Sequence, residues 1–183
     1  MPENETSSTW IQTFTGRKFF PLDPNLNDIA IEDIAHALSN LCRFAGHVRK
    51  FYSVAQHSVL VSHHCHPDNA LAGLLHDASE AYLLDMPRPL KRHPSFEFYN
   101  DAEAVLMRAI ANRFGFSLTP DYIHKSDMSV FAAECRDLMS PLHREFDVGP
   151  FEPIPQQIIP ISPKRAKWLF LGRFYELTGR EVN

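Results

Sequence analysis

The pattern of apolar positions is helical along most of the chain. Apolar residues recur at three- and four-residue spacing in several windows, and alternating apolar and polar residues are scarce. This spacing places apolar side chains on one face of a helix. The windows at residues 31–41, 96–114 and 163–178 therefore predict helices. Only seven residues are glycine, which agrees with an all-α fold whose strands, if any, are short.

Capping residues predict where other helices begin and end. The segment Ser53–Gln56 fits the capping box, in which the Ser and Gln side chains reciprocally satisfy backbone N–H groups, so a second helix begins there. A third helix is predicted to begin after Asp68 and to carry the segment LLHDASEAYLLD at residues 74–85. It ends before Pro87, because proline cannot continue a helix.

A fifth helix and a proline-rich loop complete the predicted fold. Thr119 is the expected N-cap, Pro120 takes the first helical position, and the helix runs to Leu138. Residues 140–162 contain five prolines and little periodicity, which predicts an ordered loop with room for a short strand around residues 158–159. The predicted architecture is a compact all-α bundle with this loop before the last helix.

Length, charge and cysteine content narrow the classes of function. With 183 residues, 44% of them hydrophobic, one core is expected, and we interpret residues 1–183 as a single domain with an N-terminal segment at 1–25. A net charge of −4 lacks the basic surface of proteins that bind polymeric nucleic acid. Three scattered cysteines without a CxxC pair argue against disulfides and a thiolate zinc site, and favour the cytoplasm. No apolar run reaches the roughly 18 residues of a membrane span.

The segment LLHDASEAYLLD places four ionisable groups where an apolar helix face is expected. Each group would be costly to bury without a partner. On a helix, His76, Asp77 and Glu80 border the same cavity because Glu80 follows the other two by four and three residues. Either the groups satisfy one another as a structural polar network, or they bind a ligand with help from other helices.

A divalent metal ion is the ligand that this pattern suits. His57 from the second helix and Asp127 from the fifth share faces with apolar residues, so they are the natural partners for His76 and Asp77. Two His and two Asp give a mixed nitrogen and oxygen set suited to one Mn, Co, Zn, Ni or Fe ion. Such an ion acidifies bound water, and Glu80, which is not needed as a ligand, would relay protons.

Three segments together resemble the HD-domain metal-dependent phosphohydrolases. They are SVAQHS at residues 53–58, LLHDASEAYLLDMPRPLK at 74–91 and HKSDMSVFAAECRDLM at 124–139. The resemblance is closest to the small bacterial and phage branch that contains the 5'-deoxynucleotidases and the phage deoxyadenosine triphosphate triphosphohydrolases. It covers residues 10–140 and implies a compact all-α bundle.

The resemblance also implies roles for individual residues. In that family one divalent ion is bound by a first His, a His-Asp pair and a distant Asp, and the matching residues here are His57, His76, Asp77 and Asp127. Glu80 matches the family's catalytic acid or base, and Asp85 matches an Asp implicated in catalysis or in orienting water. Members of the family often form dimers, so a homodimer is an option for this chain.

A phosphorylated substrate needs cations beside these acids, and the chain has two groups of them. Before the second helix lie Arg43, His47, Arg49 and Lys50, and after Asp85 lie Arg88, Lys91 and Arg92. The resemblance implies that Arg43 and Phe44 contact phosphate and sugar, with Phe44 standing where the family usually has Trp. It also implies that Lys91 contacts phosphate in the triphosphate-cleaving relatives, whereas the alternative for Lys91 is a solvated charge.

We expect a cytoplasmic, metal-dependent enzyme that hydrolyses deoxynucleoside 5'-monophosphates to nucleoside and phosphate. One alternative is a deoxynucleoside triphosphate triphosphohydrolase, whose substrate tail would pass Lys91. Another is a non-catalytic HD module that keeps the metal site to sense nucleotides. A third is an all-α structural protein with an internal polar network. Neither a membrane nor polymeric nucleic acid is an expected partner.

Other notable residues are expected to be structural. His36 would pack or cap locally, and the histidines around Cys65 would lie on the surface. The spacing of Glu134 and Arg136 permits an intrahelical or interhelical ion pair, so both would be structural, and Trp168 would anchor the core.

Overall fold

The computed structural model describes residues 9–118 and 120–179 and is mostly helical, as the apolar spacing predicts. Its helices are α1 (Ile31–Asn40), α2 (Val54–His64), α3 (Ala70–Leu75), α4 (Glu80–Leu83), α5 (Arg88–Lys91), α6 (Glu97–Phe114), α7 (Pro120–Leu138) and α8 (Pro163–Thr178). Strands β1 (Ile11–Gln12) and β2 (Lys18–Phe19) pair antiparallel as a small hairpin before α1. In these described ranges, none of the helices is both long and apolar enough to span a membrane.

The predicted bounds of α1, α6 and α8 agree with the structure to within one residue. Gly115 ends α6 in the left-handed conformation, with φ of +78°, which favours glycine. The hydroxyl of Ser162 accepts from the Arg165 N–H and caps α8. The end of α7 at Leu138 is also confirmed, whereas its expected cap, Thr119, lies outside the described residues.

The prediction of one continuous third helix is wrong. The chain leaves α3 after Leu75, passes through a turn at residues 76–79 and enters α4 at Glu80. In the turn, backbone bonds run to the third residue back, from the Ala78 N–H to the Leu75 carbonyl and from the Glu80 N–H to the Asp77 carbonyl. This tighter winding ends the α-helical register, and it lets two sequence neighbours, His and Asp, face the same point.

Helix α2 is the centre of the molecule, with α1, α3, α7 and α8 packed around it. On one side the core contains Phe19, Ile34, Leu38, Leu74, Leu106 and Phe170. On the other side a second apolar cluster contains Tyr52, Val61, Val130, Ala133, Ile154 and Ile158. A helix enclosed in this way is buried around most of its circumference, so the polar residues on it lie inside the protein.

The close approach of α2 and α3 depends on Gly73. A Cβ atom added at this residue would lie 2.6 Å from the Sγ of Cys65 and 3.5 Å from the Cα of Ser62. Real Cβ atoms do not approach sulfur this closely, so the absence of a side chain sets the spacing of the two helices. That spacing brings the residue after α3, His76, within reach of His57 on α2.

The proline-rich loop at 140–162 has no strand around residues 158–159, contrary to the prediction. The side-chain amide of Gln56 makes the hydrogen bonds to this backbone that a neighbouring strand would otherwise make. Its Nε2 donates to the Ile159 carbonyl at 2.8 Å, and its Oε1 accepts from the Ile161 N–H at 3.0 Å. The capping box at the start of α2 is therefore only half correct. The Ser53 hydroxyl accepts from the Gln56 N–H, but the Gln56 side chain binds the loop.

Two further structural expectations are corrected. Trp168 is 61% exposed, so it does not anchor the core, and Arg165 lies over its ring with Cζ 4.6 Å from the centroid. Arg136 does not pair with Glu134. Instead it binds the neighbouring Asp137 at 2.7 Å and donates to carbonyl groups of the proline-rich loop at 3.0 and 3.1 Å. His36 packs locally as expected, with its ring stacked on Phe14 at 3.7 Å.

Candidate metal centre

Three helical segments converge on one cluster of ligand atoms. His57 comes from α2, His76 from the turn after α3 and Asp127 from α7. One ligand atom from each of the three lies within 4.8 Å of the other two. Asp77 joins them, because its Oδ2 is 3.2 Å from His76 Nε2 and 3.7 Å from His57 Nε2. The structure therefore brings together the four residues that the sequence predicts as ligands.

The separations between these atoms fit a single metal ion. An ion with bonds of about 2.1 Å holds neighbouring ligand atoms about 3.0–3.4 Å apart in octahedral or tetrahedral geometry. His57 Nε2 lies 3.1 Å from Asp127 Oδ1 and 3.4 Å from His76 Nε2, and His76 Nε2 lies 3.9 Å from Asp127 Oδ1. These three residues are close enough to share one ion, and Asp77 lies beside both imidazoles.

The hydrogen bonds on the far sides of the two rings determine which nitrogen faces the cluster. His76 Nδ1 lies 2.8 Å from the Gly73 carbonyl, which can only accept a hydrogen bond. His57 Nδ1 lies 2.6 Å from the Glu134 carboxylate, which is also an acceptor when ionised. In both rings Nδ1 therefore donates its proton to these acceptors, and the Nε2 lone pair points at the cluster. This is the arrangement that metal-binding imidazoles adopt in proteins.

The electrostatic environment also favours a cation at this point. Burial and the Arg43 charge oppose protonation of His57, but the Glu134 and Asp127 carboxylates outweigh them and raise its pKa to about 9. Burial alone would raise the pKa of Asp127, yet the two histidines lower it to about 2. The cluster thus attracts positive charge, which either protons or a metal ion can supply.

Glu134 is a residue of the site that the sequence interpretation missed. It lies on α7 two turns after Asp127, is fully buried and binds both His57 and Arg43. Burial opposes its ionisation, but Arg43 and His57 outweigh this effect and lower its pKa, so it stays a carboxylate. A sequence signal did exist, since Asp127 and Glu134 are seven residues apart and share one face of the helix.

Arg43 lies inside the cluster and binds two carboxylates. Its Nε is 3.3 Å from Glu134 Oε2, and its Nη1 is 3.4 Å from Asp77 Oδ2. The acids outweigh burial and raise its pKa, so the guanidinium remains charged. The role expected of Arg43, a contact to phosphate, stays a prediction, but the arrangement gives it a second role in holding Asp77 and Glu134.

Glu80 is buried beside the cluster with one oxygen atom unpartnered. Among the described residues, no group makes a hydrogen bond to its Oε2, and its Oε1 lies 3.5 Å from Lys91 Nζ. Burial, Asp77 and Asp85 raise the pKa of Glu80 well above its usual range, while Lys91 and Arg43 act in the opposite direction. Burial is likewise the largest cause that raises the pKa of Asp85, which is half-buried. Glu80 can therefore hold a proton although it lies among other acids.

The other predicted substrate contacts are placed around the edge of the site. Lys91 Nζ is 2.7 Å from Glu103 Oε1 as well as close to Glu80, so two acids share its charge. The Phe44 ring packs near Phe131 with a centroid distance of 5.9 Å. His47 is exposed, and in the described parts of the chain no hydrogen bond or ion pair links its ring to the cluster.

Strained backbone lies on both sides of the site. Phe44 and Ala45 have φ of 56° and 49°, and Leu84, directly before Asp85, has φ of 72°. Non-glycine residues rarely adopt these values, and the strain costs of the order of 1 kcal/mol at each residue. The surrounding packing maintains it where Arg43 and Asp85 enter the site, and backbone strain of this kind is often found at functional sites.

A cavity of about 520 Å³ opens beside the cluster and has His76 and Asp127 in its wall. Most of the remaining wall is apolar, and its residues are Ala72, Met107, Phe116, Leu118 and Ile123. Asp121 and His124 add polar groups. The volume is within the range of small-molecule pockets. An organic ligand in this cavity would therefore contact two of the candidate metal ligands.

The sequence of the chain is similar to those of bacterial proteins. It is 38% identical to the uncharacterized protein YfdR of Escherichia coli K12 over 181 residues, which cover 93% of this chain and 96% of YfdR. It is 39% identical to the uncharacterized protein RCAP_rcc00048 of Rhodobacter capsulatus over 115 residues, 58% of each chain. No protein-family model matches. Because the first similarity extends over nearly the full length of both proteins, the chain belongs to the same family as YfdR.

Proposed function

We propose that the protein is a divalent-metal-dependent phosphohydrolase that removes phosphate from deoxynucleoside 5'-monophosphates. One observation carries the proposal. Two imidazole Nε2 atoms and the Asp127 carboxylate lie close enough to share one ion, and the Asp77 carboxylate lies beside both imidazoles. Next to them is the buried Glu80, one oxygen of which has no hydrogen-bond partner among the described residues. The resemblance of the segments around these residues to HD-domain phosphohydrolases supports the same reaction class.

His57, His76, Asp77 and Asp127 would hold the ion. The donor set of two nitrogens and carboxylate oxygens suits Mn, Co, Zn, Ni or Fe. A divalent ion supplies Lewis-acid chemistry, which polarises a phosphoryl oxygen and acidifies water. The tautomers fixed by Gly73 and Glu134 support this assignment, because both imidazoles offer lone pairs on the same side.

Glu80 is the group that we assign to proton transfer. A general acid or base is most effective when its pKa is close to the operating pH, and burial beside Asp77 and Asp85 moves the pKa of Glu80 upward in that direction. Within the described parts of the chain its Oε2 has no hydrogen-bond partner, whereas Lys91 orients Oε1. Asp85 follows on the same segment and would accept hydrogen bonds from water beside Glu80.

Two features favour a monophosphate over a triphosphate. Lys91, the cation that the triphosphohydrolase alternative requires for a polyphosphate tail, already neutralises Glu80 and Glu103. The mainly apolar cavity beside His76 and Asp127 suits an uncharged nucleoside moiety and not further phosphate groups. The phosphate would therefore face the ligand cluster, and the nucleoside would extend into the cavity.

The test is release of phosphate from a panel of deoxynucleoside mono-, di- and triphosphates with Mn or Co present. We expect orthophosphate from the monophosphates, loss of release after chelation, and none from an Asp77→Ala variant purified in the same way. Release of triphosphate from deoxynucleoside triphosphates would instead identify the triphosphohydrolase. Stoichiometric metal without turnover of any phosphoester would contradict the proposed function and favour the non-catalytic sensing module.

A further inference from the structure

The candidate site carries more negative than positive side-chain charge, which opposes the binding of an anionic substrate. Its carboxylates belong to Asp77, Glu80, Asp85, Asp127 and Glu134. Arg43 is charged but is shared between Asp77 and Glu134, and Lys91 is shared between Glu80 and Glu103. The divalent ion of the proposed function would balance the charges of Asp77 and Asp127, and the other acids remain. A phosphate dianion therefore still needs a further cation, because acids already pair with Arg43 and Lys91, the two cations to which the resemblance gives a phosphate contact.

Arg88 is a cation that the carboxylates do not occupy. It is the first residue of α5, three residues after Asp85, and its side chain is exposed. Both Nη atoms lie 3.7 Å from the Met128 sulfur, which is a weak acceptor, and within the described ranges no carboxylate forms an ion pair with it. Its charge is therefore not neutralised.

The contacts of Arg88 place it against the part of α7 that carries Asp127. Met128 follows Asp127 directly in α7, and Phe131 is one helical turn after Asp127 on the same face. The guanidinium carbon of Arg88 lies 5.5 Å from the centre of the Phe131 ring. An aromatic face and a thioether thus support the planar group near Asp127 without cancelling its charge.

We propose that Arg88 binds the phosphate of the substrate. The guanidinium has a planar fork of N–H donors that matches two phosphate oxygens. Its contact with Phe131 already restricts its orientation, so it loses less conformational entropy on binding. This inference rests on the proposed function and adds to it. Arg43 organises the acids inside the cluster, and Arg88 is the specificity-determining contact for the anionic group.

The experiment compares four forms of the Mn-loaded full chain, namely wild type, Arg88→Gln, Arg88→Lys and Arg108→Gln. Arg108 is the matched control, because it is an exposed arginine on α6 to which no role in the site is assigned. Binding of inorganic phosphate is measured by titration calorimetry, and kcat and KM are measured with a deoxynucleoside 5'-monophosphate. Melting temperatures verify that all four forms are folded.

We expect Arg88→Gln to weaken phosphate binding by roughly 10- to 100-fold and to raise KM to a similar extent, as for loss of charge-assisted hydrogen bonds. Arg88→Lys should recover only part of the loss because it keeps the charge but not the fork. Arg108→Gln should remain within about twofold of wild type, since it removes the same charge without a phosphate contact.

Wild-type affinity for phosphate in Arg88→Gln would overturn the inference, and so would an equal loss in Arg108→Gln, which would reveal a general effect of charge. Absence of measurable phosphate binding by the wild type would also overturn it. If phosphate binding depends on Arg88 but wild type releases no phosphate from any ester, the anion site stands and the proposed hydrolysis fails.

Discussion

His57 and Glu134 form a fully buried pair in which the Nδ1 atom of the ring lies 2.6 Å from the carboxylate Oε1, although 77 residues separate them in the chain. The carboxylate fixes the tautomer of His57 and increases the electron density of its Nε2. A pair of this type acts on the cluster without a ligand atom of its own, because it orients a ligand and makes it more basic.

Glu134→Gln should therefore lower the affinity for Mn or Co. The amide keeps nearly the same shape but loses the negative charge that supports His57, and loss of such a partner typically costs 10- to 100-fold in metal affinity. Competition with a chromophoric chelator measures the change. Glu145→Gln is the control, since Glu145 is exposed on the proline-rich loop. Equal affinities in the two variants would show that the pair does not tune the site.

Arg43→Met should destabilise the metal-free protein. The substitution leaves the buried Glu134 and the partly buried Asp77 without their shared cation, and breaking a buried ion pair costs about 3 kcal/mol or more. Denaturant unfolding measures the loss, and Arg43→Lys should recover part of it. A variant with wild-type stability but a much higher KM would instead assign Arg43 to phosphate alone.

Glu80→Gln should abolish activity. At pH values above the ordinary carboxyl pKa it should also raise the free energy of unfolding. Burial, Asp77 and Asp85 raise the pKa of Glu80 in the folded state. As the pH rises past about 4.3, the unfolded chain loses this proton first, so wild-type stability falls until the pH passes the folded pKa. Glutamine does not ionise and avoids this loss.

Unfolding free energies of metal-free wild type and Glu80→Gln should thus agree near pH 4 and diverge by about pH 8, with the variant more stable. Phosphate release by the same preparations gives the activity. The prediction fails if the variant is the less stable protein at the higher pH, or if it retains activity.

Met107→Trp should obstruct the cavity selectively. Met107 lies in the cavity wall on α6, and the larger indole would occupy space assigned to the nucleoside. We expect KM for a deoxynucleoside monophosphate to rise about tenfold, equivalent to ~1.4 kcal/mol, and KM for glycerol phosphate to change little. Ala104→Trp, at an exposed position of the same helix, is the control. A parallel rise for both substrates in Met107→Trp would place the nucleoside elsewhere.

The sequence predicted the long helices well, because they depend on regular spacing. The way in which His76 and Asp77 reach the same point depends instead on the turn between α3 and α4. Amphipathic periodicity locates α1, α6 and α8, and the shared apolar neighbours of His57 and Asp127 indicate that both face inward. The turn at 76–79 was not predicted, since its residues have no glycine or proline to interrupt the helix. Tertiary contacts impose that turn.

The partners of charged residues were harder to predict than their positions. Glu134 and Arg136 are close in sequence, but residues two apart on a helix point in different directions, so Glu134 meets His57 while Arg136 reaches the loop. The exposure of Trp168 is a similar case. Its place in an amphipathic helix does not determine whether another element covers that part of the helix.

The side-chain amide of Gln56 anchors a loop that is distant in sequence. Because the amide binds the backbone at 159 and 161, this contact does not depend on which side chains stand at those two positions, whereas it does depend on Gln56. The same residue directly precedes His57. Evolution can therefore vary the outer face of this loop, as the 68% exposure of Ile159 permits, without disturbing the helix that carries the first metal-binding histidine.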